Sequence, residues 1–231
     1  KYIEAISNFA DALEELVDEI KWYPDFMKTR YTEWVSNLKW DWNISRQRYY
    51  GVPIPLWYCK ECNEIILPDK KDLPVEPIQD NPSIDKCPKC GCGEFLPEED
   101  IMDTWMTSSL TPLINSLWAV DGSRQDIIYP MTLRCQAFEI IRTWLFYTVV
   151  KSHYHTDSLP WEDVMISGWG LDKNGKKMSK RSGNFVDPES VMDVYSADAL
   201  RYWAAGATLG HDLKYNEDDV KNGRRLLTKL W

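Results

Sequence analysis

The sequence predicts an α/β fold that carries an inserted cysteine-rich module and flanking helices. Three observations lead there. Residues 127–136, 139–152 and 162–169 read as strand, helix and strand, an order that implies a right-handed parallel crossover. Five of the six cysteines fall between residues 59 and 92, among prolines and glycines. Both ends of the chain show helical spacing of apolar residues.

The 231 residues are long enough for one large domain, or a domain with a small module. At 44% hydrophobic and 27% charged, with 12 tryptophans, the composition is that of an ordered chain. No apolar run approaches the ~20 residues of a membrane span, and no signal peptide opens the chain, so no membrane partner is expected. A net charge of −9 excludes nonspecific nucleic-acid binding by the surface as a whole. The chain starts at Lys1 and reaches Trp231 inside a helical pattern, which reads as a piece of a longer protein.

Taken in order, Ile3, Ile6, Ala10, Leu13, Val17 and Ile20 predict a helix over residues 1–23 with an acidic outer face. Pro24 interrupts it. Met27, Tyr31, Trp34, Val35 and Leu38 predict a second helix. Prolines then break an extended stretch, and residues 59–97 form the cysteine module. After the strand–helix–strand unit come a lysine-rich loop and three helices. Asp187 with Pro188, Ser196 and Asn216 are their predicted N-caps.

Cys59-x-x-Cys62 and Cys87-x-x-Cys90 each present two thiolates from one turn. Two such turns complete the tetrahedral sulfur shell that zinc accepts, and a filled shell makes the metal structural rather than catalytic. Cys92 competes with Cys90 for the fourth place; spacing favours Cys90. The cysteine usage also fits a reducing compartment.

Within "LDKNGKKMSKRSGNFVDP" (171–188), Lys173, Lys176, Lys177, Lys180 and Arg181 crowd between Asp172 and Gly183. Lysines on a loop that follows a parallel strand suit a mobile phosphate group, and glycines let such a loop bend. The P-loop pattern is absent, so this is not a P-loop, and a solvated surface turn is the alternative to a phosphate site.

Lys177-Met178-Ser179-Lys180-Arg181 resembles the KMSKS signature of class I aminoacyl-tRNA synthetases. Residues 38–59, 99–113, 136–149, 166–188 and 197–212 resemble, in order, blocks of archaeal-type valyl-tRNA synthetases, so the likeness covers essentially the whole chain. It implies the second half of a Rossmann-type parallel sheet with an inserted zinc ribbon. The implied divisions are 1–42, a helical connection from an editing insertion; 43–58, a catalytic-domain segment; 59–97, the zinc module; 98–186, the Rossmann half with the signature loop; and 187–231, the start of a stem-contact helical domain. The implied activity of the full-length enzyme is activation of valine with ATP and Mg2+, then transfer to tRNA(Val), in the cytoplasm.

The resemblance also assigns roles. Lys177 and Lys180 stabilise phosphate charge. Glu139, Met165, Ile166, Gly168, Met178, Ser179 and Lys180 bind ATP, Glu139 through the ribose, with core packing the alternative for Met165 and Ile166 and a helix-dipole role the alternative for Glu139. Tyr50, Asp103 and Trp105 form the amino-acid pocket, Asp103 pairing with the ammonium of valine. Arg181 stands where the family commonly has serine, and Phe138 precedes Glu139 where a glycine or histidine is common. His153, His155 and His211 lie in no HIGH-like context, so the chain requires the remainder of the synthetase and is expected to be inactive alone. Two other readings share some of these features: an isoleucyl- or leucyl-type synthetase piece, and a non-enzymatic zinc-ribbon module binding RNA or protein.

Overall fold

The computed structural model describes residues 3–4 and 10–231. The chain begins with β1 (Ile3–Glu4), α1 (Ala10–Asp18), β2 (Lys21–Tyr23), α2 (Lys28–Ser36), β3 (Trp42–Asn43) and β4 (Ser45–Arg46). The cysteine module holds β5 (Trp57–Cys59), β6 (Ile65–Ile66) and β7 (Phe95–Pro97). Then follow β8 (Ile101–Met102), α3 (Thr104–Ser108), α4 (Thr111–Asn115), α5 (Gln125–Ile128), β9 (Met131–Ala137), α6 (Phe146–Thr156) and β10 (Trp161–Ser167). The chain ends with β11 (Gly170–Leu171), α7 (Pro188–Tyr195), α8 (Ala197–Ala205), β12 (Leu213–Lys214) and α9 (Glu217–Leu230).

The central sheet is parallel, in the order β2-β10-β9. Its β9–α6–β10 unit is the expected strand–helix–strand. β9 starts later than the apolar pattern suggests, because Ile127 and Ile128 complete α5 and Pro130 has no N–H to give a ladder. Between β9 and α6 the backbone passes through a 3-10 turn at Phe138–Ile140 and a π turn at Ile141–Leu145.

The expected helix over residues 1–23 is corrected. Among the described residues of this stretch only Ala10–Asp18 is α-helical, and Lys21–Tyr23 becomes β2, with Trp22 opposite Val164 of β10. Ile3 lies in β1, paired with β3, and Ile6 falls outside the described residues. Three residues alternating exposed, buried, exposed are too short for periodicity to reveal; the open edge of β10 supplies the hydrogen bonds that make them a strand. The second helix forms as expected, with Tyr31 and Val35 buried.

One core joins these parts. Leu13, Val17, Tyr31 and Val35 pack against Ile141, Leu145, Phe146, Val149, Trp161 and Ile166, all essentially inaccessible. Each such side chain contributes about 1.5–3 kcal/mol by burial. A second cluster of Val191, Ala199 and Val220 unites α7, α8 and α9. Their caps are the predicted ones: Asp187 accepts from Ser190 N at 3.2 Å, Ser196 from Ala199 N at 3.4 Å and Asn216 from Asp218 N at 3.0 Å. Among the described residues, no helix is long and apolar enough to cross a membrane.

Candidate active site and thiol centre

The lysine loop begins where β10 ends. Leu171 bridges Lys177 antiparallel and Met178 N donates to Gly170 O at 3.0 Å, so residues 170–178 fold into a hairpin. Gly175, at φ +79°, makes its turn possible. β11 also pairs parallel with β12, which ties the hairpin to the start of the C-terminal helices.

A cavity of about 380 Å³ opens between the carboxyl ends of β9 and β10 and this hairpin. Ala137, Glu139, Gly168, Trp169, Lys177 and Met178 line one side, and Phe185, Val191, Trp203 and Tyr215 contribute from the helical side. Open α/β sheets bind ligands at this end of their strands. Lys177 Nζ forms an ion pair with Glu139 Oε2 and lies 4.4 Å from the Trp169 ring centroid. Both members are close to half exposed, so incoming ligand atoms can compete for them. Lys180 is exposed on the turn that follows, and its only ring contact recorded among the described residues is Phe185, at 5.8 Å.

The expected ATP residues separate into two groups. Glu139, Gly168, Lys177 and Met178 meet at the cavity, with Ser179 and Lys180 on the adjoining turn. Ile166 does not join them; its side chain is fully buried in the main core. Met165 is half-buried on β10 and does not line the cavity. Gly168 lines the wall, and a close approach within the chain itself already requires a glycine there. A Cβ there would collide with the backbone of His211 and Asp212, so the close approach it permits is by the chain itself. Asp212 seals that approach by accepting from Trp169 N at 2.8 Å.

Tyr50, Asp103 and Trp105 gather at a second, smaller hollow of about 120 Å³ with Arg46, Arg48 and Met102. Tyr50 is 84% exposed and stands edge-on to Tyr49. Asp103 is buried and already engaged. Its Oδ1 caps α3 by accepting from Trp105 N at 2.7 Å, and its Oδ2 pairs with Arg46. The arrangement explains why β4 and β8 lie side by side: their pairing brings Arg46 opposite Ile101, next to Asp103.

In the cysteine module the Sγ atoms of Cys59, Cys62, Cys87 and Cys90 all lie within 4.8 Å of one another. Cys59 and Cys90 are 3.4 Å apart, Cys62 and Cys87 3.6 Å. A tetrahedral ion with metal–sulfur bonds of about 2.3 Å needs sulfurs roughly 3.8 Å apart, so the four can hold a metal. Cys92 is not among them; its sulfur accepts from Glu94 N at 3.3 Å. The Cys62 N–H, outweighing burial, draws the Cys59 thiol down to about 6. For Cys90 the Cys92 N–H pulls downward, but the neighbouring Cys59 and Cys62 sulfurs prevail and push it up to about 12. Sulfurs this close oppose one another's ionisation, and a bound cation would relieve that repulsion.

Several site residues escape sequence reasoning. Trp169, Phe185, Trp203 and Tyr215 wall the cavity, and the indole N–H of Trp169 is buried without a hydrogen-bond partner among the described residues. The Gly168-Trp169-Gly170 triplet is a signal for Trp169, since flanking glycines give an aromatic ring room against backbone. Asp172 and Asn184 brace the loop. The Asn184 amide, followed by the Lys176 and Asn174 N–H groups, holds the Asp172 carboxyl below its ordinary value against the effect of burial.

Comparison with known proteins bears on the family of the chain. Residues 2–216 match the model of the tRNA synthetases class I (I, L, M and V). The valine--tRNA ligase of Anaplasma marginale is 49% identical over 225 residues, 95% of this chain and 27% of that protein. That of Methanopyrus kandleri is 45% identical over 227 residues, 98% of this chain and 24% of that protein. The chain thus spans about a quarter of the length of these curated relatives. Among solved structures, LeuRS in the Agrobacterium radiobacter K84 ternary complex with tRNA and LeuAMS superposes with a TM-score of 0.69 at 26% identity. The match covers 82% of this chain and 27% of that one. With the family match running from the first strand to the start of α9, the chain belongs to the class I tRNA synthetases of the I, L, M and V group.

Proposed function

We propose that the protein containing this chain activates valine with ATP and transfers it to tRNA(Val), and that this chain contributes the lysine-bearing half of the activation site. The observation that carries the reading is the cavity at the carboxyl ends of β9 and β10, where Lys177 meets Glu139 and Lys180 stands on the next turn. In the reaction a carboxylate oxygen of valine attacks the α-phosphorus, and the bond to the bridging oxygen of pyrophosphate breaks. The valyl group then passes to a ribose hydroxyl of the tRNA, releasing AMP.

No covalent enzyme intermediate is required, so positioned charge supplies most of the acceleration. Lys177 and Lys180 stabilise the negative charge that gathers on the departing pyrophosphate, which arrives with Mg2+ as part of the nucleotide substrate. Glu139 accepts from the ribose hydroxyls, and Met178 packs against the base. Tyr50 and Trp105 bound the valine side chain. Asp103 acts through Arg46 and the cap of α3, which hold that wall in place. The relatives at 45–49% identity support valine over isoleucine or leucine.

Cys59, Cys62, Cys87 and Cys90 hold a structural zinc ion, which when bound would close the β5–β7 module. A full sulfur shell leaves no position for substrate. The division of the chain that accompanies this reading is 1–42, 43–58, 59–97, 98–186 and 187–231, as the resemblance implies, and the enzyme works in the cytoplasm.

Valine-dependent ATP–pyrophosphate exchange by the full-length protein tests the proposal. Lys180→Ala should reduce kcat by roughly 10²–10³-fold, the usual effect of removing one preorganised charge-stabilising donor. Retention of activity within about threefold would remove the lysine loop from the chemistry.

A further inference from the structure

We propose that Asp172 and Asn184 form a latch that sets the position of the lysine-bearing segment 177–180. For the reaction it serves, this inference rests on the proposed function above. Neither residue lines the 380 Å³ cavity. Both line a larger hollow of about 990 Å³ that shares Phe185, Val186 and Tyr215 with that cavity, and the role assigned to them is positioning, not contact with the reacting atoms.

The Asn184 amide bonds on both sides of Met178. Its Oδ1 accepts from Ser179 N at 3.0 Å, and its Nδ2 donates to Lys177 O at 3.1 Å. The same Nδ2 donates its second hydrogen to Asp172 Oδ2 at 2.9 Å. Met178 N is meanwhile held by Gly170 O, so the segment is gripped from the hairpin on one side and by a single side chain on the other. Gly183, at φ +67°, lets the chain double back so that Asn184 can reach. The turn from Ser179 to Gly183, which carries Lys180, is thereby anchored at both ends. Within it Ser179 Oγ donates to Ser182 Oγ at 2.8 Å, and Ser182 N donates to Ser179 Oγ at 3.1 Å.

Asp172 reinforces the way the amide faces, in concert with Lys177 O and Ser179 N. A carboxylate only accepts, so it selects the Nδ2 side and leaves Oδ1 toward the Ser179 N–H. A flipped amide would set oxygen against carboxylate and donor against donor. Asp172 is itself fixed: only 8% exposed, it accepts at Oδ1 from Asn174 N at 2.8 Å and Lys176 N at 2.9 Å. The acid at the front of the lysine-rich run is therefore an orienting group, and the turn it closes is the one that delivers Lys177.

Asn184→Ala, Asn184→Asp and Asp172→Asn in the full-length protein test the latch, through pyrophosphate-exchange kinetics and through trypsin cleavage after Lys180 and Arg181. Asn184→Ala should reduce kcat on the order of 10²-fold with valine KM little changed, the effect expected of misplacing a catalytic group by about 1 Å. Tryptic nicking of the loop should quicken on the order of tenfold as the loop opens locally. Asn184→Asp sets two carboxylates together and should match it. Asp172→Asn, with one oxygen to serve three donors, should fall between. Wild-type kcat and nicking in all three variants would overturn the latch. So would a loss of kcat that merely tracks a lower thermal midpoint while nicking stays unchanged. If Lys180→Ala leaves exchange intact, the proposed function fails instead, and the nicking rates still judge the latch.

Discussion

Replacing Asp103 separates a structural carboxylate from a ligand-binding one. In Asp103→Ala two interactions disappear, and the geometry of each sets its cost. The first is the N-cap of α3, Oδ1 to Trp105 N at 2.7 Å, which contributes about 1 kcal/mol. The second is the pair with Arg46, in which the Asp103 side chain is 7% exposed and the Arg46 side chain 33%. Breaking a fully buried pair costs about 3–5 kcal/mol. Here Arg46 keeps the carbonyls of Asn43 at 2.6 Å and Ser45 at 2.9 Å, and water reaches it. The loss therefore falls to about 1.5–3 kcal/mol, the range for a hydrogen bond to a charged group. Together the two give about 2.5–4 kcal/mol for Asp103→Ala. Asp103→Asn keeps an oxygen for the cap and should lose only about 2 kcal/mol. Urea unfolding of the chain, followed by tryptophan fluorescence, reads both. With a slope toward the upper end of about 1–3 kcal/mol/M, the midpoint of the alanine variant should drop by roughly 1–2 M. A shift within the ±0.5 kcal/mol typical of plain surface positions would refute the reasoning and leave the carboxylate available to an ammonium group.

Metal content of the purified protein should be one zinc ion per chain. It should be lost in Cys59→Ala, Cys62→Ala, Cys87→Ala and Cys90→Ala but kept in Cys92→Ala; loss with Cys92→Ala and retention with Cys90→Ala would reverse the ligand assignment. Gly168→Ala should destabilise by about 1–3 kcal/mol through collision with the His211–Asp212 backbone, as forced overpacking does. An unchanged urea midpoint for that variant, coupled with weaker ATP binding, would instead place the glycine against the nucleotide. For Asp172 the folded carboxyl lies below its unfolded value of about 3.9, so its contribution to stability is complete above that pH and fades as pH falls through the lower folded value. Asp172→Asn should accordingly flatten the fall in urea midpoint below about pH 4; an identical acid limb in wild type and variant would refute this.

What could be read from the sequence were features whose chemistry is local. Asp187-Pro188, Ser196 and Asn216 announce helix starts because a cap bonds to an N–H two or three residues on. Cys-x-x-Cys pairs announce a four-sulfur cluster because one turn sets both sulfurs. The crossover unit is visible because β9 and β10 are each long enough to show a strand pattern. Tertiary structure decided the rest. Residues 21–23 carry too little pattern to read as a strand and become one because β10 has an open edge beside them. Asp103 looks like a free acid until β4 brings Arg46 to it, and only the fold shows that Gly168 makes room for the chain at 211–212. Cys90 and Cys92 differ only in where three other sulfurs lie. Glu139 and Lys177 are 38 residues apart in sequence and meet because parallel strands place their following loops at one end of the sheet. Residue type and spacing set what each group is able to do; packing between distant segments sets which of those capacities remains open to a ligand.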